Sequence, residues 1–398
     1  MNTMKKFLTL QNSLVAVLVL CLVAGVLIWR QAPSSGLTDD AGRFDTSSFS
    51  EYARGSVRAV LEEQTDDFGR SLTLYQRLSV EVLTGQRAGQ LTEIEFTIIQ
   101  DTAGSTRFAP GDKVVLGYLP PVASEELLFG EAAEGQFVIV DRLRTGGLAI
   151  VVMVFVFLAV FIGRRRGALS LAGLGVAGAI LLLFTAPQLL AGKNALAVTL
   201  VSAGLIAVVT MFIAHGYNLR TRLAVISTLV ALLAAIVLSY CFVWVAQLFG
   251  LGQGDAFALQ AGFLGNIDLR GLLLGGLIIS LLGILDDVTT TQTATVEELS
   301  KAKPDINRQE LFAAAMSVGR EHIASLINTL ILVYVGASLP LFLLIVTASE
   351  QPLWVLLNSE YMAEEIVRAI SGSVALILAV PIATAIAVQS YYKKNNTP

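Results

Sequence analysis

The chain has 398 residues, 55% hydrophobic and only 15% charged, with a formal net charge of -4 and two cysteines. Several apolar runs exceed the ~18 residues that mark a membrane span, so a purely soluble protein is excluded. No basic patch interleaved with aromatics points to nucleic acid, and no Walker-type glycine loop points to nucleotide-driven work.

In chain order the apolar runs give about eight candidate spans: residues 7 to 29, 146 to 163, 168 to 190, 195 to 214, 223 to 249, 270 to 290, 323 to 347 and 366 to 389. Lysine and arginine collect in short cytoplasmic loops of membrane proteins. With the N-terminus inside, thirteen such residues fall on the cytoplasmic side: Lys5, Lys6, Arg164, Arg165, Arg166, Arg220, Arg222, Lys301, Lys303, Arg308, Arg320, Lys393 and Lys394. The short outer loops hold three, Lys193, Arg270 and Arg368, so both termini are expected in the cytoplasm.

The first run follows Lys5 and Lys6, but "VLIWRQAPSS" lacks a small-x-small cleavage site, and Leu20 before Cys21 argues against a lipoprotein. Residues 1–30 are therefore expected to be an uncleaved anchor. Both cysteines, Cys21 and Cys241, lie inside spans, which implies neither a disulfide nor a thiolate metal site.

Residues 31–145 differ in composition. The stretch 31–50 is rich in Ser, Thr, Asp and Gly and reads as a linker. From about Gly55 the pattern turns to short alternating strands, "SVRAVL", "LSVEVLTG", "LTEIEFTII", "DKVVLGYL" and "QFVIVDRL", separated by "TGQRAGQ", "APGD" and "PPVASEE". A small extracytoplasmic β-rich domain follows, a barrel or sandwich of OB-like type, expected to be structural or to dock a protein partner. Residues 146–390 make a seven-helix transmembrane domain and 391–398 a cytoplasmic tail. Small residues four apart, Gly173 with Ala177, Gly175 with Ala179 and Gly271 with Gly275, predict close helix packing.

Chemistry concentrates in "LLGILDDVTTTQTATVEELSK", residues 281 to 301. The apolar run from Gly271 to Leu285 supplies fifteen residues. That is about 22 Å of helix at ~1.5 Å per residue, short of a bilayer core of about 30 Å. The helix should therefore continue through Asp286, Asp287 and Thr290 inside the lipid. Ionised carboxylates facing lipid cost several kcal/mol, so these groups should face the bundle interior, pair or protonate. Thr290 and Thr291 lie over Asp287, and Thr293 shares a stripe with Asp286, where hydroxyls can donate to carboxylate or line a hydrated path. The opposing reading ends the helix at Leu285, leaves the acids at the headgroups and turns the threonines back on their own backbone.

Pro304 breaks the chain, Asp305 or Asn307 can cap, and "RQELFAAAMSV" places Leu311, Phe312, Ala315 and Met316 on one face, giving an amphipathic cytoplasmic segment at 297–320. The next span opens on Arg320, Glu321 and His322, then Ser325, Asn328 and Thr329 at helical spacing, a polar stripe entering from the same side as the aspartates. His322 there, and His215 at another cytoplasmic end, could relay protons or hold a cation, or sit beside headgroups.

The stretches "GILDDVTTTQTATVEEL" (283–299), "SVGREHIASLINTLILVYVGASLPL" (317–341), "LSVEVLTGQRAG" and "FAPGDKVVLGY" resemble the YibE/F-like family of bacterial membrane proteins, in its actinobacterial form. Glu321 stands where that family is expected to carry Asp. The resemblance implies several spans and an extracytoplasmic domain, and brings no activity with it. A looser likeness, in organisation alone, is to SecD and SecF and their relatives, in which intramembrane polar residues couple proton flow to outside work.

Two functions compete on this reading: an ion-coupled transporter or transport-associated protein, and a non-catalytic scaffold or accessory protein docking a partner through its outer domain. No Gly-x-Ser-x-Gly elbow or His-Glu-x-x-His helix occurs, and the Gly-x-Gly-Asp at residues 252–255 falls between candidate spans and not inside one, so neither an enzyme nor a cofactor is expected.

Overall fold

The computed structural model describes residues 49–67, 72–99, 107–120, 135–252, 268–347 and 352–395. The anchor read at 7–29, nearly all of the linker and most of "PPVASEE" lie outside them. The chain divides into two compact units, residues 42–157 and 158–398.

The first unit is a five-stranded half-barrel with neighbours in the order β3-β2-β1-β4-β5, every ladder antiparallel. Its strands are β1 (Glu51–Asp67), β2 (Leu72–Val82), β3 (Leu91–Ile99), β4 (Lys113–Leu119) and β5 (Gln136–Arg142). β1 is longer than the alternation suggested, at 17 residues. Its first part pairs with β4 and most of it with β2, and bulges after Val57 and Val60 bend it between the two. The turns "TGQRAGQ" and "APGD" form where expected, with Gly85, Gly89 and Gly111 at positive φ.

Alternation in β2 sends Leu74, Gln76, Leu78, Val80 and Val82 inward, against Val57, Ile94, Val114, Leu116 and Phe137. Gln76 is the polar member. Its amide nitrogen donates to Glu63 at 2.8 Å and to the Phe108 carbonyl at 3.1 Å, and its oxygen accepts from the Phe108 amide at 2.9 Å. A buried glutamine thus fastens an irregular segment to the sheet without leaving a buried polar atom unpaired.

Among the described residues five helices are long and apolar enough to cross a membrane. They are α1 (Thr145–Leu190), α2 (Ala195–His215), α3 (Leu219–Val245), α4 (Leu269–Ala302) and α8 (Glu360–Tyr392, continuing to Asn395). Between the last two come α5 (Arg308–Ala337), α6 (Leu339–Thr347) and α7 (Leu353–Leu357). Asparagines start three of the helices: Asn194, Asn218 and Asn307 accept from the amides of Ala197, Thr221 and Glu310 at 2.9, 2.9 and 2.8 Å.

The spans read at 146–163 and 168–190 are one helical run broken at Arg164, whose φ of 49° is not helical. Beyond the break, a Cβ on Gly167 would lie 2.0 Å from the Ala159 carbonyl oxygen, so the reversal needs glycine there. The amphipathic segment read at 297–320 does not stand apart. Its start completes α4, a turn follows at 303–307, and its remainder runs unbroken into the polar stripe as α5. A continuous backbone hydrogen-bond ladder costs less than a break at an interface, and no Gly or Pro between Arg308 and Gly319 forces one.

α4 is the centre of the second unit, packed against α2, α3, α5 and α8. Ile278, Leu281, Leu282, Leu285 and Val288 fill the core with Ala203, Ala231, Leu232, Leu376 and Val380. Gly275 lets α2 approach closely, since a Cβ there would meet Thr199 Cγ2 at 2.7 Å.

Candidate functional site

α4 is 34 residues long, about 51 Å at ~1.5 Å per residue, and it passes Leu285 without interruption. Asp286 therefore sits in the middle of a continuous helix. The helix does not end at Leu285, although Thr289 and Thr295 do bond back to the carbonyls of Asp286 and Thr291.

The helix sorts its polar residues onto two faces. Toward the core, the hydroxyls of Thr289 and Thr228 on α3 meet at 2.6 Å, both residues fully buried. Gln292 donates to the Ala315 carbonyl on α5 at 2.9 Å and to Thr384 Oγ1 on α8 at 2.8 Å. Thr293 is buried on this side, its hydroxyl without a hydrogen bond among the described residues. These bonds fix the rotation of α4 about its axis.

The other face opens on a groove of about 760 Å³ between α1, α2 and α4. Asp286, Asp287, Thr290 and Thr291 line it from α4, opposite Thr210 and His215 of α2. Asp286 is partly buried and Asp287 exposed to the groove. Thr290 Oγ1 stands 3.5 Å from Asp286 Oδ1, and His215 feels Arg220 and Arg166 and, more weakly, Asp287. Ser170 and Gly173 of α1 complete the wall, and Arg220 of α3 closes one end. A pair of carboxylates, hydroxyls and an imidazole around open volume can bind a small cation or pass protons through water.

The stripe on α5 does not join them. Ser325, Asn328 and Thr329 are exposed, Thr329 bonding back to the Ser325 carbonyl at 3.1 Å. His322 is partly buried, and its Nε2 has no hydrogen bond among the described residues. Arg320 and Glu321 are exposed beside it. The histidine at the aspartates is thus His215, twelve residues after Ala203 of the core, and not His322.

Sequence reasoning passed over a second polar end. Glu360 accepts from the amides of Phe249 and Leu251 at 2.6 and 3.1 Å, and Glu364 accepts from Gly252 at 2.9 Å, which tethers the loop after α3 to the start of α8. The signal available was two acids at i and i+4 at a span's edge. Glu364 and Arg368 line a further cavity of about 270 Å³ on the α4 surface, and Ile279 borders both this cavity and the aspartate groove. Among the described residues no group of three or more His, Cys, Asp or Glu is placed to hold a metal ion.

A family model described as YibE/F-like protein matches residues 151–393, well over half of the chain and the whole of the groove. The chain belongs to the YibE/F-like family. Family membership and five apolar helices together mark this YibE/F-like protein as membrane-embedded. No curated protein and no solved structure matches it.

Proposed function

We propose that this YibE/F-like protein is an ion-coupled transporter or a transport-associated protein, with Asp286 and Asp287 as the coupling groups. The observation that carries the reading is their position: two adjacent carboxylates in mid-helix share one groove with His215, Thr290 and Thr291, and among the described residues neither makes an ion pair. Acids held so in a membrane bundle are costly unless hydrated, protonated or bound to a cation, and each of those states serves coupling. The route for the ion runs along the α4 surface, past Ile279, between the cavity at Glu364 and the aspartate groove. We place the protein in the bacterial plasma membrane with both termini cytoplasmic, and assign it no catalytic residue or cofactor.

A scaffold reading draws on a different feature, the exposed Leu61, Leu83, Leu91 and Val140 of the half-barrel, which suit a protein partner on the outer side. One experiment separates the two. In reconstituted vesicles, Asp286→Asn with Asp287→Asn abolishes proton- or cation-dependent flux if the acids couple. On the scaffold reading the same change lowers abundance or assembly and leaves flux untouched.

A further inference from the structure

At the end of the groove marked by His215 a second cavity opens, of about 420 Å³, bordered by α1, α2, α3, α4 and α8. It shares His215, Ala214 and Arg220 with the aspartate groove, but its charge is reversed: Arg166, Arg220 and Lys301 face one carboxylate, Glu297. That carboxylate serves two of them: Glu297 pairs with Lys301 Nζ at 2.9 Å and more loosely with Arg220 at 3.9 Å, while Lys301 also binds Glu298 at 3.0 Å. No acid among the described residues lies within ion-pairing distance of Arg166.

Two further sets of donors meet the same space. α3 begins here with Asn218 as its cap. Its first backbone bond runs from the Arg222 amide to the Asn218 carbonyl at 3.1 Å, so the amides of Leu219 and Arg220 precede the helix's own ladder. From α8 comes Tyr391, 5% exposed, whose hydroxyl lies near Glu297 without reaching hydrogen-bond geometry. A phenol held beside Glu297 short of hydrogen-bond geometry can turn to a bound acceptor instead.

We propose that this cavity is an oxyanion site for a phosphate group, free or carried by an anionic lipid headgroup. Guanidinium groups meet phosphate with paired, charge-assisted hydrogen bonds, a helix start adds amides and a positive dipole end, and the Tyr391 hydroxyl donates to a third oxygen. Basic residues scattered along a membrane edge would not need a cavity. These converge on one from separate helices. The site stands independently of any coupling role for the aspartates.

The test uses the full chain in nanodiscs of phosphatidylcholine alone, titrated with inorganic phosphate by calorimetry, and in parallel nanodiscs containing phosphatidylglycerol, with retained lipid read by native mass spectrometry. Saturable phosphate binding in the first identifies the free anion as ligand; retention of phosphatidylglycerol without phosphate binding identifies the headgroup. In either case Arg166→Gln with Arg220→Gln should weaken binding about tenfold or more, the scale of one lost charge-assisted bond. Tyr391→Phe, which keeps the ring and its packing, should weaken it severalfold. Asp286→Asn with Asp287→Asn should retain binding, so the two proposals can fail separately. Binding that is equal in wild type, the arginine pair and Tyr391→Phe, or absent for both ligands, would overturn the assignment.

Discussion

The hydroxyls of Thr228 on α3 and Thr289 on α4 meet 2.6 Å apart in a fully buried seam, and this contact turns Asp286, three residues earlier, toward the groove. Interhelical hydroxyl bonds in membrane proteins contribute about 0.6 kcal/mol on average and rarely above ~1.7. Thr228→Val and Thr289→Val should each lower unfolding stability by about that much, and the double variant should lose less than the sum. Denaturant titration of the four proteins in detergent measures the coupling; strict additivity would mean the pair does not hold α4.

Gly275 makes a sharper demand. A Cβ there meets Thr199 Cγ2 at 2.7 Å, and the neighbour belongs to a packed helix. Gly275→Val should therefore push α2 from α4 at a cost of about 1 to 3 kcal/mol, as overpacking does elsewhere. Pairing it with Thr199→Ala should recover part of the loss. Thermal unfolding of both variants checks it, and a Gly275→Val protein as stable as wild type would refute the close approach.

In the half-barrel, Gln76→Ala removes both partners of the Phe108 backbone at once. Leaving a buried donor and acceptor unpaired costs about 1 to 3 kcal/mol each before water relieves them. Hydrogen exchange on the full chain should show the amides around Phe108 losing protection, with the helices unchanged. Unaltered exchange there would show the glutamine to be dispensable.

The loop tether at Glu360 and Glu364 carries its own expectation. Glu360→Gln keeps one acceptor for the amides of Phe249 and Leu251, whereas Glu360→Ala removes it. Protease cleavage near residues 249–252 should rise in the alanine variant and little in the glutamine one. Equal cleavage in both would contradict the tether.

How far the sequence reveals this arrangement depends on whether the signal is local. The latter half of β2 could be read because period-two alternation places each of Leu78, Val80 and Val82 by its own position, while residues 72–77, with Leu74 and Gln76, fell outside the strand expected. The course of α4 past Leu285 followed from length alone, since fifteen apolar residues cannot span a bilayer. The partner of the aspartates was not local. His215 ends α2 and His322 stands in the middle of α5, yet in sequence both border apolar runs, and the choice between them depends on α2 packing against α4 through Gly275, while Ser325, Asn328 and Thr329 of α5 are exposed. Likewise the threonine run looked uniform in one dimension. Only α3 and α8 beside it decide that Thr289 and Thr293 are buried and Thr290 and Thr291 line open volume.

Everything proposed for coupling depends on water reaching the two acids within the bundle. The direct measurement is thiol labelling in vesicles on a background with Cys21 and Cys241 replaced by serine, using Asp286→Cys, Asp287→Cys and, as a lipid-facing control, Leu233→Cys, a residue 60% exposed on α3. A small charged thiol reagent should label positions 286 and 287 and spare 233, while a bulky impermeant one spares all three. Positions 286 and 287 labelled only by a lipid-soluble reagent, as at 233, or labelled freely by the bulky one, would contradict the account.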